Sequence, residues 1–248
     1  AGERYLQTAR EVLHLLKNTE SKLAQNTAIP TGTLKINLPV SFGQLYIVPL
    51  LPAFSRYYPD VKLELSFSDD YTDIIESGVD IAIRSGKLHD SRLIARRICP
   101  MDMGIFASPA HLAEFGTPTT PAEFEQHPWI KYRFKQSGRT LTITLPQDEQ
   151  IIELDPKSYV LVDDGNALAQ LTCRGMGLSF MPHFLVRDLV QEGKLTLISA
   201  PWRNPDQAVY IYYLSRDYLP AKVRLFIEFI VKKLEAQGES AYTSWMQK

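Results

Sequence analysis

The chain has 248 residues, a formal net charge of −1, and a composition of 45 % hydrophobic and 22 % charged residues. These values are typical of a globular protein with one large or two ordinary domains, and they argue against a broad basic face for DNA or an anionic membrane. No apolar run is long enough to span a bilayer and no signal peptide is evident, so we expect a cytoplasmic protein without a membrane partner.

The first 26 residues predict a linker and dimerisation helix. Two interpretations of this helix stand: it packs on its own domain, or it forms an intermolecular coiled-coil seam. We favour the seam, because residues 25–32 then separate the helix from the body of the chain like a linker. Since the chain starts inside this pattern without an initiator methionine, we expect a fragment of a longer protein. The a/d-spaced positions are Tyr5, Ala9, Val12, Leu16, Thr19 and Leu23.

Residues 33–84 predict two successive βαβ units. Alternating hydrophobicity predicts strands over residues 34–38, 61–67 and 79–84, and helical spacing of apolar residues predicts a helix between the first two. A second helix is predicted over residues 68–77. Parallel strands joined in this way have their carboxyl ends at one sheet edge, where open α/β sheets bind ligands.

The predicted ligand edge carries hydroxyls, helix N-termini and a guanidinium, which together suit a small anion or carboxylate. Each side chain also has a structural interpretation: a serine can cap a helix, an arginine can pair with nearby acids, and an aromatic ring can belong to the core. The residues at this edge are Ser41, Phe42, Ser68 and Arg84.

The remainder of the chain repeats the pattern of a strand followed by a capped helix. Ser108 is predicted to cap a short helix, Thr120 opens a capping box, and the turn at residues 163–166 caps a helix over 167–174. The last strand, at 208–214, and the last helix, which begins at Pro220, lack a partner of their own. We therefore expect them to fold back onto the first block.

This organisation predicts an α/β fold of two Rossmann-like subdomains joined by two crossover segments, with a ligand between them as in hinge-bending binding proteins. Subdomain I is predicted over residues 30–102 and 208–236, and subdomain II over 103–207. The linker helix precedes them at residues 1–26, and a C-terminal tail follows at 237–248.

Catalytic and metal-binding patterns are not found. Ser41 lacks a G-x-S-x-G elbow, no carboxylate pair is placed for acid–base work, and the two cysteines, Cys99 and Cys173, have no nucleophile signature. The five histidines lack H-x-x-x-H spacing. We predict neither an enzyme nor a metal or cofactor site.

Several motifs in order resemble the regulatory half of LysR-type transcriptional regulators. Each motif is weak alone, but together they are specific and cover essentially the whole chain. They are GTLKI at 32–36, PLLPAF at 49–54, YPDV at 58–61, GVDIAIR at 78–84, GMGL at 175–178 and MP at 181–182.

The resemblance implies an effector-binding domain with a fold like that of periplasmic binding proteins. It also implies a small-molecule effector, self-association into a homodimer or homotetramer, and promoter DNA bound through an N-terminal winged helix-turn-helix that this chain lacks. The positions that match the family's effector site are Ser41, Phe42, Gly43, Phe67, Ser68, Arg84, Tyr132, Asp163, Asn166 and Met181.

The leading functional hypothesis is thus an effector-sensing, oligomerising domain of a DNA-binding transcription regulator, responding to a small, anionic metabolite in the cleft. The alternative is a two-lobed solute-binding protein of a transport system, which would share the cleft. The identity of the effector does not transfer from the resemblance.

Overall fold

The structure is a computed structural model that describes residues 30–70, 77–86, 93–147, 150–199, 202–214 and 219–237. The predicted linker helix at 1–26, most of the helix predicted over 68–77, and nearly all of the predicted C-terminal tail lie outside these described residues.

Subdomain I is built on three parallel strands in the order β2–β1–β3. Within β1, Leu34, Ile36 and Leu38 are buried on one face, as the alternation predicts. The last helix, α7, covers this face and contributes Phe226 to the same apolar core. The elements are β1 (Gly32–Leu38), β2 (Val61–Phe67), β3 (Ile81–Ser85) and α7 (Ala221–Gln237).

The segment between β1 and β2 is helical, but it is not the single α-helix that the apolar spacing predicts. Pro49 has no backbone N–H to donate to the preceding turn, so a regular α-helix cannot run through it. The chain passes instead through a π-helical turn and a 3₁₀ turn. Pro52 is tolerated because it lies in the first turn of the helix that begins at Leu51, where its missing N–H would have no partner in the helix. The segment comprises α1 (Val40–Phe42), the π turn (Gly43–Ile47), the 3₁₀ turn (Val48–Leu50) and α2 (Leu51–Tyr57).

Two long strands, β4 (Leu93–Ala107) and β11 (Trp202–Leu214), connect the two halves of the molecule. They pair with each other antiparallel, β11 also pairs with β3, and the last part of β4 pairs with strands of the second half. The predicted fold class of two subdomains joined by two crossover segments is therefore confirmed. The predicted boundaries, at residues 102/103 and 207/208, fall inside these two strands.

Among the residues that the structure describes, subdomain II contains the remaining strands and four short helices. β5 and β8 pair in parallel, β6 and β7 form a hairpin, and β9 and β10 pair with the end of β4. The strands are β5 (Trp129–Tyr132), β6 (Ile143–Gln147), β7 (Gln150–Leu154), β8 (Ser158–Val162), β9 (Ser179–Pro182) and β10 (Thr196–Leu197). The helices are α3 (Pro109–Phe115), α4 (Pro121–Gln126), α5 (Gly165–Cys173) and α6 (His183–Gln191).

The helix starts in subdomain II follow the predicted capping chemistry. Ser108 Oγ accepts a hydrogen bond from the His111 N–H at 3.2 Å, and Thr120 and Glu123 form a complete capping box. Asp164 caps α5 by accepting from the Ala167 N–H at 2.7 Å. These caps fix where α3, α4 and α5 begin. The start of α5 faces subdomain I, since Gly165 lies beside Ser41. Within the described ranges, no helix has the length and apolar character needed to cross a membrane.

Candidate functional site

The first turns of α1 and α5 face each other across the gap between the subdomains. The Ser41 Oγ lies 3.0 Å from the position that a Cβ on Gly165 would take. One turn further along, the Asn166 Nδ2 donates a hydrogen bond to the Gln44 Oε1 at 3.3 Å. We call the surface between residues 41–44, Ser68–Asp70, Tyr132 and residues 163–166 the crevice.

Carboxylates occupy the backbone donors at both helix starts in the crevice. The Val40 N–H, at the start of α1, donates a hydrogen bond to Asp69 Oδ1 at 3.0 Å. At the start of α5, the Ala167 N–H donates in the same way to Asp164 Oδ1 at 2.7 Å. Ser68 is also held in place, since its N–H donates to the Leu38 carbonyl and its Oγ accepts from the Asp70 N–H, both at 3.0 Å. The rim of the crevice is therefore ordered by its own polar groups.

Negative charge converges on the crevice from both subdomains. Burial raises the pKa of Asp69, and the charge of Asp164 across the crevice acts in the same direction. The hydrogen bond from Val40 and the charges of Arg84 and Lys135 lower the pKa of Asp69, but do not cancel the effect of burial.

Tyr132, at the end of β5, lies close enough to the carboxylates of the crevice for their negative charge to act on it. Burial raises the pKa of its phenol to about 12, and the charges of Asp69, Asp163, Asp164 and Asp70 add to the shift. The phenol therefore stays protonated at neutral pH and remains both a hydrogen-bond donor and an acceptor.

Two of the predicted site residues belong to the core rather than to the crevice surface. Phe42 is 1 % exposed. Its ring stacks on that of Tyr46, with the ring centroids 5.1 Å apart, and meets the ring of Phe184 edge-on, with a centroid distance of 5.3 Å. Met181 is fully buried in β9. Apolar side chains at a strand end can face either the ligand edge or the core, and both of these face the core.

Gly43 and Phe67 form a close contact at the floor of the crevice. A Cβ on Gly43 would lie 2.8 Å from Leu38 Cβ and 3.1 Å from a ring carbon of Phe67, so only glycine allows this approach. Phe67 remains 39 % exposed. Arg84 is 3 % exposed, and its Nη1 donates to the Ile83 carbonyl at 2.8 Å, so its guanidinium is held against its own strand.

The structure thus brings together Ser41, Ser68, Tyr132, Asp163 and Asn166 from the predicted set. Sequence reasoning missed Gln44 and Asp69 as members of the site, while Gly165 lies inside the turn at 163–166 that it placed there. Gln44 could have been found, because it follows Ser41 by three residues on a helical turn. Asp69 lies in the segment 68–77, for which the sequence pattern predicts a helix and gives no sign of a pairing with Val40.

Other reactive groups in the described residues do not form a catalytic arrangement with the crevice. Burial raises the pKa of the Cys99 thiol to about 12, so it stays protonated and unreactive at neutral pH. Among the residues with described positions, no group of three or more His, Cys, Asp or Glu side chains could hold a metal ion.

Two α/β subdomains linked by two crossing strands, with polar helix starts meeting between them, define a domain like the periplasmic binding proteins. The family model described as "LysR substrate binding domain" matches residues 28–235. The chain belongs to this family and is the effector-binding domain of a LysR-type transcriptional regulator.

Known proteins agree with this assignment. The chain is 30 % identical to an uncharacterised HTH-type transcriptional regulator of Haemophilus influenzae, over 90 % of this chain and 77 % of that protein. It is 27 % identical to the HTH-type transcriptional activator AaeR of Escherichia coli, over 92 % of this chain and 73 % of AaeR. The LysR-type regulator CrgA of Neisseria meningitidis superposes with a TM-score of 0.75 at 29 % identity, covering 94 % of this chain and 79 % of CrgA.

The resemblance found in the sequence is therefore confirmed, and the transport alternative is not favoured. The relatives are transcriptional regulators rather than enzymes.

Proposed function

We propose that a small effector binds in the crevice and holds the two subdomains in one relative arrangement. The observation that carries this proposal is the meeting of the two helix starts, with Ser41 beside Gly165 and Gln44 bonded to Asn166. A compound seated here touches both subdomains at once, so its binding energy depends on how they are arranged. An effector can shift that arrangement only by binding its two states unequally.

The anionic effector expected from the sequence is not part of this proposal. That expectation relied on free backbone donors at helix starts and on Arg84. The donors at Val40 and Ala167 are taken by aspartates, and Arg84 is buried against its own strand. The carboxylates instead favour an effector with hydrogen-bond donors, such as hydroxyl or amino groups, because these can bond to Asp69 and Asp163.

The output of this movement passes to DNA through self-association. We propose that the full regulator forms a homodimer or homotetramer and binds promoter DNA through an N-terminal domain, as the family assignment supports. Closure or opening of the crevice would change the spacing of the DNA-binding domains between protomers. The change in transcription then follows from the differential affinity of the effector for the two arrangements.

Substitution of Ser41 tests the position of the effector. A thermal-shift screen of small amines, polyols and carboxylic acids identifies compounds that stabilise the wild-type chain. Ser41→Leu places a bulky apolar group against Gly165, so these compounds should no longer raise the melting temperature. Ser55→Leu makes the same substitution at an exposed position of α2 and should keep the full shift. If Ser41→Leu responds like the wild type, the effector binds elsewhere.

A further inference from the structure

A buried aromatic contact joins the two subdomains beside the crevice. Phe184, the second residue of α6, is 7 % exposed and belongs to the apolar core of subdomain I. Its ring meets the rings of Phe42 and Tyr46 edge-on, with centroid distances of 5.3 and 6.1 Å. We call these three residues the joint. Since α6 belongs to subdomain II, one subdomain seats a side chain in the core of the other.

A buried hydrogen bond fixes the geometry of the joint. The Tyr46 hydroxyl donates to the Phe184 carbonyl at 3.0 Å. Burial raises the pKa of the Tyr46 phenol to about 12, and the opposing charge of Arg187 does not cancel this effect. The phenol therefore stays protonated at neutral pH and keeps its donor. Because hydrogen bonds are directional, this bond sets both the distance and the direction of α6 relative to the π turn.

A second hydrogen bond between the subdomains is weaker. Asn166 and Gln44 meet at 3.3 Å at an exposed position, where water can replace either amide group. Separation of the joint, in contrast, would break a buried bond and expose the rings of Phe42 and Phe184 to water. The joint is therefore the stronger of these two contacts.

One short segment of subdomain I supplies both contacts. Gln44 and Tyr46 lie in the π turn at Gly43–Ile47, a kind of turn that is rare and that is frequent at functional sites. Gly43 holds this turn against β1, since a Cβ on Gly43 would lie 2.8 Å from Leu38 Cβ. The π turn thus connects the strand that ends at the crevice with the start of α6.

The start of α6 also supports the opposite wall of the crevice. Leu185 follows Phe184 in α6, and its Cδ2 lies 3.3 Å from the position that a Cβ on Gly165 would take. The Ser41 Oγ lies 3.0 Å from the same position. A displacement of Phe184 carries Leu185 with it, and so it changes the distance between Gly165 and Ser41.

We infer that Tyr46 is a positioning residue, which sets the width of the crevice through its bond to the Phe184 carbonyl. Tyr46 is 5 % exposed, so it acts through α6 rather than by contact with an effector. Its role in sensing rests on the proposed function, because the width decides which compounds reach both walls. The width itself is a property of the chain without an effector, and it can be measured in that state.

A pair of cysteines at Ser41 and Gly165 measures the width. The whole chain with Ser41→Cys, Gly165→Cys and Cys173→Ser is equilibrated with glutathione buffers, and the oxidised fraction gives the effective concentration of the two thiols. Adding Tyr46→Phe removes the hydroxyl and keeps the ring. The effective concentration should then fall about fivefold, as expected for the loss of one buried hydrogen bond. No compound is added, so the result is independent of whether an effector binds in the crevice.

Two control variants separate positioning from stability. Tyr58→Phe removes a hydroxyl from a half-buried tyrosine that packs on Phe54 inside subdomain I, and it should leave the effective concentration unchanged. Gln44→Ala removes the exposed bond and should lower the effective concentration less than Tyr46→Phe does. A larger fall with Gln44→Ala would overturn the inference, because the exposed bond would then set the width.

Urea denaturation of each variant completes the test. If Tyr46→Phe lowers stability but leaves the effective concentration unchanged, the bond is only structural and the inference is overturned. If Tyr46→Phe does not fold, Phe184→Leu perturbs the joint from the side of subdomain II and should also lower the effective concentration. An unchanged value in that variant would contradict the inference in the same way.

Discussion

The two subdomains bury different kinds of side chains. The core of subdomain I is apolar, and it joins strands from the start of the chain to α7 at its end, through contacts such as Phe54 against Phe226 at 5.1 Å. Subdomain II is continuous in sequence and buries hydrogen-bonded polar pairs beside its apolar clusters. In one pair, the hydroxyl oxygens of Thr172 and Ser179 lie 2.7 Å apart. In another, His111 Nε2 lies 3.1 Å from His127 Nδ1.

This difference indicates how each subdomain responds to perturbation. Apolar burial is non-directional and insensitive to pH, so subdomain I should respond most strongly when volume is removed from its core. Buried polar pairs depend on direction and on protonation, so subdomain II should respond to the loss of a single donor or to acid. Three predictions test this contrast.

The largest effect is expected from Phe226→Ala in subdomain I. Phe226 is fully buried and anchors α7 on the strands, so its truncation should lower the free energy of unfolding by about 3–5 kcal/mol. Urea denaturation measures the loss. Phe229→Ala, at a half-buried position of the same helix, is the matched control and should cost clearly less. Equal losses at both positions would contradict a core centred on Phe226.

A smaller effect is expected from Thr172→Val in subdomain II. The substitution keeps the shape of the side chain but removes the hydroxyl that donates to the Leu168 carbonyl and bonds to Ser179. The buried Ser179 then loses this partner, which should cost about 1–3 kcal/mol in the same denaturation assay. Thr172→Ser retains the hydroxyl and should recover part of the loss. If valine is tolerated as well as serine, the pair does not stabilise subdomain II.

The smallest effect concerns the histidine pair. The Gly175 carbonyl can only accept, so His111 Nδ1 carries the proton, and His111 Nε2 accepts from His127. Burial lowers the pKa of both rings, and for His127 the neighbouring His111 adds to the shift. The unfolded chain therefore binds more protons, and stability should fall as the pH drops below about 6.5.

This pH dependence is measured by thermal unfolding between neutral and mildly acidic pH. His127→Gln removes one titrating ring at the edge of the pair, so its melting temperature should vary less with pH than that of the wild type. An identical slope in the two proteins would show that other groups dominate the acid response.

Much of the fold could be predicted from local sequence patterns. Alternation predicted β1, β2 and β3, and side-chain oxygens at 108, 120 and 164 predicted helix starts, because these signals act within a few residues. The continuity of β4 could not be predicted, since Pro100 normally interrupts a strand. It is tolerated here beside an irregular stretch of β11, where the register shifts between Arg203 and Ala208.

The candidate site was predictable in position but not in chemistry. Ser41 and the turn at 163–166 each follow the carboxyl end of a strand, one in each subdomain. The predicted topology alone puts these two strand ends at edges that face each other. The cap from Asp69 to Val40 joins residues 29 apart, and the sequence pattern does not reveal such a pairing. For the same reason the negative charge of the crevice was not evident from the sequence, and the anionic effector expected from the sequence stays a prediction.

The central claim is that an effector binds where Ser41 meets Gly165, and a reversible cross-link tests it most directly. Cysteines at these positions, in the variant Ser41→Cys/Gly165→Cys, would be in direct contact, since the Ser41 Oγ lies 3.0 Å from the position of a Cβ on residue 165. We measure the thermal shift given by the strongest compound from the screen, for the oxidised and the reduced variant, with Ser41→Cys alone as control. The account predicts no shift when the crevice is locked and a full shift after reduction. Equal shifts in both states would contradict it.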